Sequence, residues 1–257
     1  MKLTSHAARQ IAVAAITCTA SLLPAAAMAS AGPAATLGSS ASRARPARPV
    51  TAYVTRPLGD QVIPISTVSN KAGNAITVGG FPDAIAVTPD GKTAYVANAG
   101  SGTVTPIRTV TNTAGQAIMV GKGPDAIAIT PDGKTAYVAN WASGTVTPIR
   151  TAANTAGQAI KTGGGARVIA ITPNGKTAYV VNQNSGTVTP IRTSTGTAGK
   201  AVKVGRDPVD MAITPDGTTA YVVSPVPGRV TPIRTATNTL GKAIKVGAYV
   251  SLIVITP

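Results

Sequence analysis

Few side chains in this 257-residue sequence could do chemistry, and the types that are missing say as much as those present. Eight acids stand against 23 bases, and all eight are Asp, with no Glu anywhere. The one His is His6 and the one Cys is Cys18, both inside an N-terminal stretch that reads as a removed leader. Ser-His-Asp and Cys-His nucleophiles, thiolate or imidazole metal sites, Glu-based proton transfer and disulfides each need a side chain that the mature chain then lacks. An acid and a base could come only from Asp, Tyr, Lys or Arg, and no pair of these is spaced as a recognisable acid and base. The expectation is a protein that holds something without transforming it. It is not an enzyme, and it has no catalytic residue, no cofactor and no metal.

The elements that must position these residues are announced by repetition. Thr93-Ala94-Tyr95-Val96 recurs from Thr135, Thr177 and Thr219, with an earlier copy from Thr51, always 42 residues apart. The turn Pro89-Asp90-Gly91 keeps the same beat at Pro131 and Pro215, with Pro173-Asn174-Gly175 as a variant. A fixed period in this range marks a repeat architecture. Each unit holds four short β-type runs, a to d, which in one unit cover residues 84–88, 93–97, 103–109 and 116–120. None is long enough for a helix, and no connection could carry a parallel crossover. Four antiparallel strands per roughly 40 residues is the arithmetic of a β-propeller blade. In run a, Ile85 and Val87 alternate with Ala84 and Ala86, which suits a sheet packed on both faces and tapering toward an axis. Run c carries Pro64, Pro106, Pro148, Pro190 and Pro232, each of which must sit at a bulge or turn its nitrogen away from a partner.

Residues 51–257 fall three short of five full periods, and the missing three are the Asp-Gly-Lys of one a-to-b turn. The chain therefore starts with a b strand at Thr51 and ends with an a strand over residues 249–256. Pairing of these two terminal strands would close a ring of five four-stranded blades and hide the edge of an open arc. A closed ring predicts a monomer.

Strands that run alternately up and down put the d-to-a and b-to-c connections on one face. The other face is monotonous, repeating Pro-Asp-Gly-Lys and Asn-Thr-Ala-Gly, whereas the first varies from copy to copy. Variable loops on a rigid scaffold are where binding resides. The candidate ligand-binding residues on that face are Phe81, Asp83, Asp125, Trp141, Arg167 and Gln183. Trp141, the sole Trp, is either a stacking platform for sugar or peptide or a residue packed between blades. Asp83 and Asp125 order a loop or bind a cation, and the absence of Asp-x-Asp-x-Asp spacing favours the loop. Tyr53, Tyr95, Tyr137, Tyr179 and Tyr221 recur inside run b and read as structural.

The strings Tyr95-Val96-Ala97-Asn98, Tyr137-Val138-Ala139-Asn140 and Tyr179-Val180-Val181-Asn182 each follow a Pro-Asp/Asn-Gly-Lys turn and precede Gly-Thr-Val-Thr. They resemble the YVTN-family β-propeller repeats of secreted and surface-layer proteins, and the resemblance spans residues 51–257. It implies a propeller on the cell exterior. No copy reads Tyr-Val-Thr-Asn in full, and the family's tendency to seven blades exceeds what this chain can build.

The first 29 residues have the order of an export signal: basic Lys2 and Arg9, an apolar core, then Ala27-Met28-Ala29 before a cut. The core is too short and too interrupted by Thr17, Thr19 and Ser21 to span a bilayer. Residues 30–50 are Ala, Ser, Gly and Pro with Arg43, Arg45 and Arg48, and read as a disordered tether to the propeller over residues 51–257. Loss of Lys2 and Arg9 lowers the formal charge from +15 to +13. Arg108, Arg150, Arg192 and Arg234 share one position in run c and form a basic ladder. An anionic cell-wall polymer, acidic glycan or extracellular protein is the expected partner. Nucleic acid is disfavoured because aromatics are not interleaved with the bases. The resulting reading is a secreted or cell-wall-associated, non-catalytic binding or adhesion scaffold that meets its partner through the variable face. The alternatives are a propeller enzyme of lactonase or lyase type, or a truncated propeller with no activity of its own. Intact-mass analysis of exported protein should show Ser30 as its first residue; a full-length mass retained in cells refutes the leader.

Overall fold

The computed structural model describes residues 50–256, so the leader and all but the last residue of the tether lie outside the described residues. Among the described residues there is no α-helix; the chain forms five antiparallel sheets in sequence order. In the second sheet, strand a is Pro82–Val87, b is Thr93–Asn98 and c is Thr103–Arg108. The third and fourth sheets repeat this with Pro124–Ile129, Thr135–Asn140 and Thr145–Arg150, then Ala166–Ile171, Thr177–Asn182 and Thr187–Arg192. The fifth has Asp210–Ile213, Thr219–Ser224 and Arg229–Arg234. The first sheet lacks strand a and begins with b at Thr51–Arg56, followed by c at Gln61–Ser66.

Run d differs from the sequence reading. It is split into two-residue pieces, Thr113–Ala114 against one end of strand c and Ile118–Met119 against the other. The proline of strand c explains the break. In an antiparallel ladder the N–H and C=O of one residue point to the same side. The Gly115 N–H donates to the Pro106 carbonyl at 2.7 Å, so the nitrogen of Pro106 also faces run d, where it has no proton to give. The same bond joins Gly73 to Pro64, Gly157 to Pro148, Gly199 to Pro190 and Gly241 to Pro232, at 2.7 to 2.8 Å. Each proline thus spares the b–c ladder and interrupts the c–d one.

Four apolar clusters join the five sheets in series. Between the second and third sheets, Ala86, Tyr95, Val104 and Ile118 meet Ile127, Ala136, Val138 and Ile149. Both faces of an inner sheet are therefore buried, which is why its strands read as near-continuous apolar runs. Each interface is also strapped by a tyrosine. The Tyr95 hydroxyl crosses to the next sheet and donates at 2.6 Å to Oδ1 of Asn154, with the Thr151 carbonyl at 3.2 Å. Tyr53 reaches Asn112, and Tyr179 reaches Asn238, each at 2.7 Å. The asparagine occupies a left-handed turn position, with φ of 51° at Asn112 and Asn154 and 55° at Asn238, a conformation its short polar side chain tolerates.

The expected closure is not formed. Thr51–Arg56 pairs only with strand c of its own sheet, and residues 249–256 form no strand. The C-terminal segment is held instead on the fifth sheet: the Tyr249 N–H bonds the Pro225 carbonyl at 3.1 Å, and the Ile253 N–H bonds Oδ2 of Asp210 at 2.8 Å. None of the four clusters links the fifth sheet to the first. The terminal strands are thus kept at opposite ends of the series.

Tyr137 alone among the strapped tyrosines lacks the asparagine, because Gly196 (φ 65°) stands there and only the Thr193 carbonyl, at 3.0 Å, accepts its proton. A Cβ at Gly196 would meet nothing closer than the Ile160 side chain at 3.7 Å. Gly196→Asn should restore the strap and raise stability by about 0.5–1.5 kcal/mol, read as a higher melting temperature. The gain should vanish when Tyr137→Phe is added.

Candidate functional site

At the inner edge of the series, the a strands of successive sheets pack side by side. Near its start each a strand carries one extra residue relative to its b partner: the register shifts between Pro82 and Ala84, between Pro124 and Ala126, and between Ala166 and Val168. The residues in these bulges are Asp83, Asp125 and Arg167. A bulge kinks the strand and re-aims one side chain out of the alternating pattern, so three polar groups leave an otherwise apolar strand at the same end of three neighbouring sheets. The approach of the preceding loop is tight, since a Cβ on Gly121 would lie 2.7 Å from the Asn140 side chain. Only glycine lets the d-to-a connection come so close and deliver Asp125.

The carboxyls of Asp83 and Asp125 hydrogen-bond one another. Such a bond needs a proton on one of them. Burial is the main force that pushes the Asp125 carboxyl up, to about 7, with the Asp83 hydrogen bond and charge adding to it and the Arg167 guanidinium opposing. Arg167 is fixed in turn: its Nη1 donates to Oε1 of the buried Gln183 at 2.7 Å, and Nε2 of Gln183 donates to Asp207. Asp210, on the a strand of the fifth sheet, also feels Arg167, and burial raises its carboxyl. Four consecutive sheets thus supply Asp83, Asp125, Arg167 and Asp210 to one end of the inner edge. The arrangement holds a transferable proton beside a fixed cation.

Of the six candidate residues, Asp83, Asp125, Arg167 and Gln183 are brought together. Phe81 is exposed in the loop entering the second sheet, with φ of 53° and its N–H on Oδ1 of Asp60 at 2.8 Å. Trp141 is half-buried in the b-to-c turn of the third sheet, and its N–H bonds the Gly123 carbonyl at 2.7 Å. The exposed Arg108, Arg150, Arg192 and Arg234 end the c strands opposite Thr93, Thr135, Thr177 and Thr219. They lie the length of a six-residue strand, ~17 Å, from the aspartate pair. Asp207 and Asp210 were missed among the candidates. The visible signal at Asp210 is an acid where the other copies have Ala84, Ala126 and Val168. Two surface concavities, of about 400 and 510 Å³, lie among the d pieces and the Pro-Asp-Gly turns. The carboxylates of the second, Asp90 and Asp132, are already bound by their own turns, through Thr88 and Lys92 and through Thr130 and Lys134.

No family model matches the chain, and no curated protein does. Solved structures of propeller-type proteins do. Hydrazine synthase of Kuenenia stuttgartiensis is 29% identical over 74% of this chain and 61% of that one, with a TM-score of 0.67. Dihydro-heme d1 dehydrogenase NirN, in complex with DHE, is 16% identical over 79% of this chain and 46% of that one, at 0.66. A putative 6-phosphogluconolactonase from Bacteroides uniformis is 19% identical over 77% of this chain and 67% of that one, at 0.62. The chain is thus all-β and propeller-like, and spans under two thirds of the first two. These likenesses correct the expectation of a non-catalytic scaffold that is not an enzyme, since the structures it resembles are described as enzymes. That expectation rested on missing His, Cys and Glu, and it overlooked that two aspartates can differ in protonation when one is buried against the other.

A group that binds its proton more tightly when folded contributes stability below its unfolded pKa and loses it as pH rises through the folded one. For Asp125 this window runs from 3.8 to about 7. The melting temperature should therefore fall between about pH 4 and pH 7, and Asp125→Asn should flatten most of that decline. An unchanged slope in the variant would place the titrating group elsewhere.

Proposed function

We propose that this chain is a propeller hydrolase of lactonase type that opens cyclic esters by paired-carboxyl acid–base catalysis. The observation that carries the reading is the pairing of the Asp125 carboxyl, pushed up to about 7, with Asp83 beside the fixed Arg167. The five sheets are read with it as five blades, the repeats as YVTN-type, and the place of action as outside the cell. The likeness to a putative 6-phosphogluconolactonase supports the fold of such an enzyme, and the aspartate pair supports its chemistry.

In the proposed reaction the Asp83 carboxylate takes a proton from water as the oxygen bonds to the acyl carbon. The negative charge that develops on the carbonyl oxygen is met by the guanidinium of Arg167, a preorganised donor. Collapse breaks the acyl–oxygen bond, and the departing ring oxygen takes the proton of Asp125. Return of the proton from Asp83 to Asp125 along their hydrogen bond restores the site, and a hydroxy acid leaves. Gln183 keeps the guanidinium in place throughout.

Purified protein should release acid from a small δ-lactone, with turnover that declines above pH 7 as Asp125 loses its proton. Asp83→Asn and Asp125→Asn should each lower kcat by about 10²–10⁴-fold, the usual worth of a positioned acid or base. Folded protein that leaves lactones and simple esters intact, or Asn variants as active as the parent, would overturn the assignment.

A further inference from the structure

The chain has eight aromatic residues, and five of them are the strand-b tyrosines. The other three, Phe81, Trp141 and Tyr249, all fall in d-to-a and b-to-c connections, on the face where the aspartate pair sits. No aromatic outside the tyrosine column lies anywhere else.

Repetition shows where Trp141 stands. The residue after strand b is tied to the loop entering strand a of the same sheet by one backbone bond: the Ala99 N–H to the Phe81 carbonyl, Trp141 to Gly123 and Gln183 to Gly165, at 2.7 to 2.8 Å. From that place the Gln183 side chain meets Arg167, the bulge residue of its own sheet, at 2.7 Å. Trp141 holds the same place beside the bulge that carries Asp125. From the next sheet the side chain that meets Gln183 is Asp207, whereas the copy of Asp207 opposite Trp141 is Gly165. A glycine puts no side chain there.

Phe81 brackets the pair from the other side, two residues before Asp83, and is 42% exposed. Its φ of 53° belongs to the left-handed region that Gly123 and Gly165 occupy at 62° and 74° in the next two copies. A residue this bulky is an outlier there, and strain of this kind clusters at binding sites. Along the row the order is Phe81, Asp83, Asp125, Trp141. The polar side chains around the rings are already engaged: Oδ1 of Asp60 accepts the Phe81 N–H, and Gln183 spans Arg167 and Asp207. Little remains beside them to recognise the hydroxyls of a sugar.

We infer, resting on the hydrolase reading above, that Phe81 and Trp141 are the walls of a slot that stacks a planar aromatic ring of the substrate. The lactone taken is benzene-fused and uncharged. Aromatic faces prefer an offset stack on a flat ring, and an apolar lining with a few convergent polar groups is the usual make-up of a small-molecule site.

Because Trp141 is the sole Trp, its fluorescence reports binding without turnover. Dihydrocarbostyril, the lactam that mimics the benzene-fused δ-lactone dihydrocoumarin, should change that fluorescence saturably, and Phe81→Ala should weaken the binding about three- to tenfold. With each rate divided by that of hydroxide-catalysed opening, dihydrocoumarin should be preferred in kcat/KM to δ-valerolactone and to gluconolactone. Trp141→Ala should cut this preference about tenfold, through KM, and Trp141→Phe should restore most of it, with circular dichroism unchanged in both. Equal turnover of the three lactones, or a preference that survives Trp141→Ala, overturns the inference. So does a preference for a phosphorylated sugar lactone, which would assign the mouth to its exposed cations Lys122 and Arg206. A chain that binds the lactam at Trp141 and opens no lactone keeps the slot and loses the hydrolase reading.

Discussion

A phenol buried between two sheets has to give its proton to something, and the acceptors these tyrosines reach are on the next sheet. Everything else is arranged around that requirement. The hydroxyls of Tyr53, Tyr95, Tyr137 and Tyr179 end on the c-to-d turn one repeat ahead. Burial holds the Tyr95 and Tyr179 phenols up at about 12, so they remain donors at any physiological pH. An apolar interface alone slides easily, because dispersion contacts have no direction. A directional bond at the same point of each interface sets the rotation between sheets, and with it the spacing of the a strands at the inner edge.

That spacing is what brings the aspartates together. Asp83 and Asp125 sit at equivalent positions of adjacent repeats, and the rotation that satisfies Tyr95 also places their carboxyls in hydrogen-bond contact. Repetition then creates the chemical asymmetry that one repeat cannot. Two like charges at neighbouring positions cannot both remain ionised at close range. The third copy answers with Arg167, so the row reads acid, acid, base along three identical frames.

Much of this was legible in the sequence. The period, the strand count per unit, the turn chemistry and the structural role of the tyrosines follow from residues that recur without change. The polar row was visible as a set of variable positions, because Asp83, Asp125 and Arg167 differ where their neighbours do not. The bulge was not visible, since Asp83 in Pro82-Asp83-Ala84-Ile85 reads as one more alternating residue until its register against Ala97 and Asn98 is known. The proton was not visible either. It depends on burial and on a contact between residues 42 apart, neither of which has a local sequence signature. The strand interruption at Pro106 was noticed as a constraint, but its direction depended on which side of strand c the nitrogen faced. Closure failed as an expectation because counting strands says nothing about how far each joint turns the chain.

The split d run has a bearing on solubility. A chain built from Thr, Val, Ile and Ala in β-runs carries the composition of a fibril former, and a propeller-like stack exposes an outer strand on every unit. Here no such outer strand is longer than two residues, because Pro64, Pro106, Pro148, Pro190 and Pro232 deny it a donor at its midpoint. A rim broken five times offers a stray strand nowhere to zip along. The proline that looks like a defect in the ladder acts as a gatekeeper, confining edge-to-edge growth to the two ends of the series.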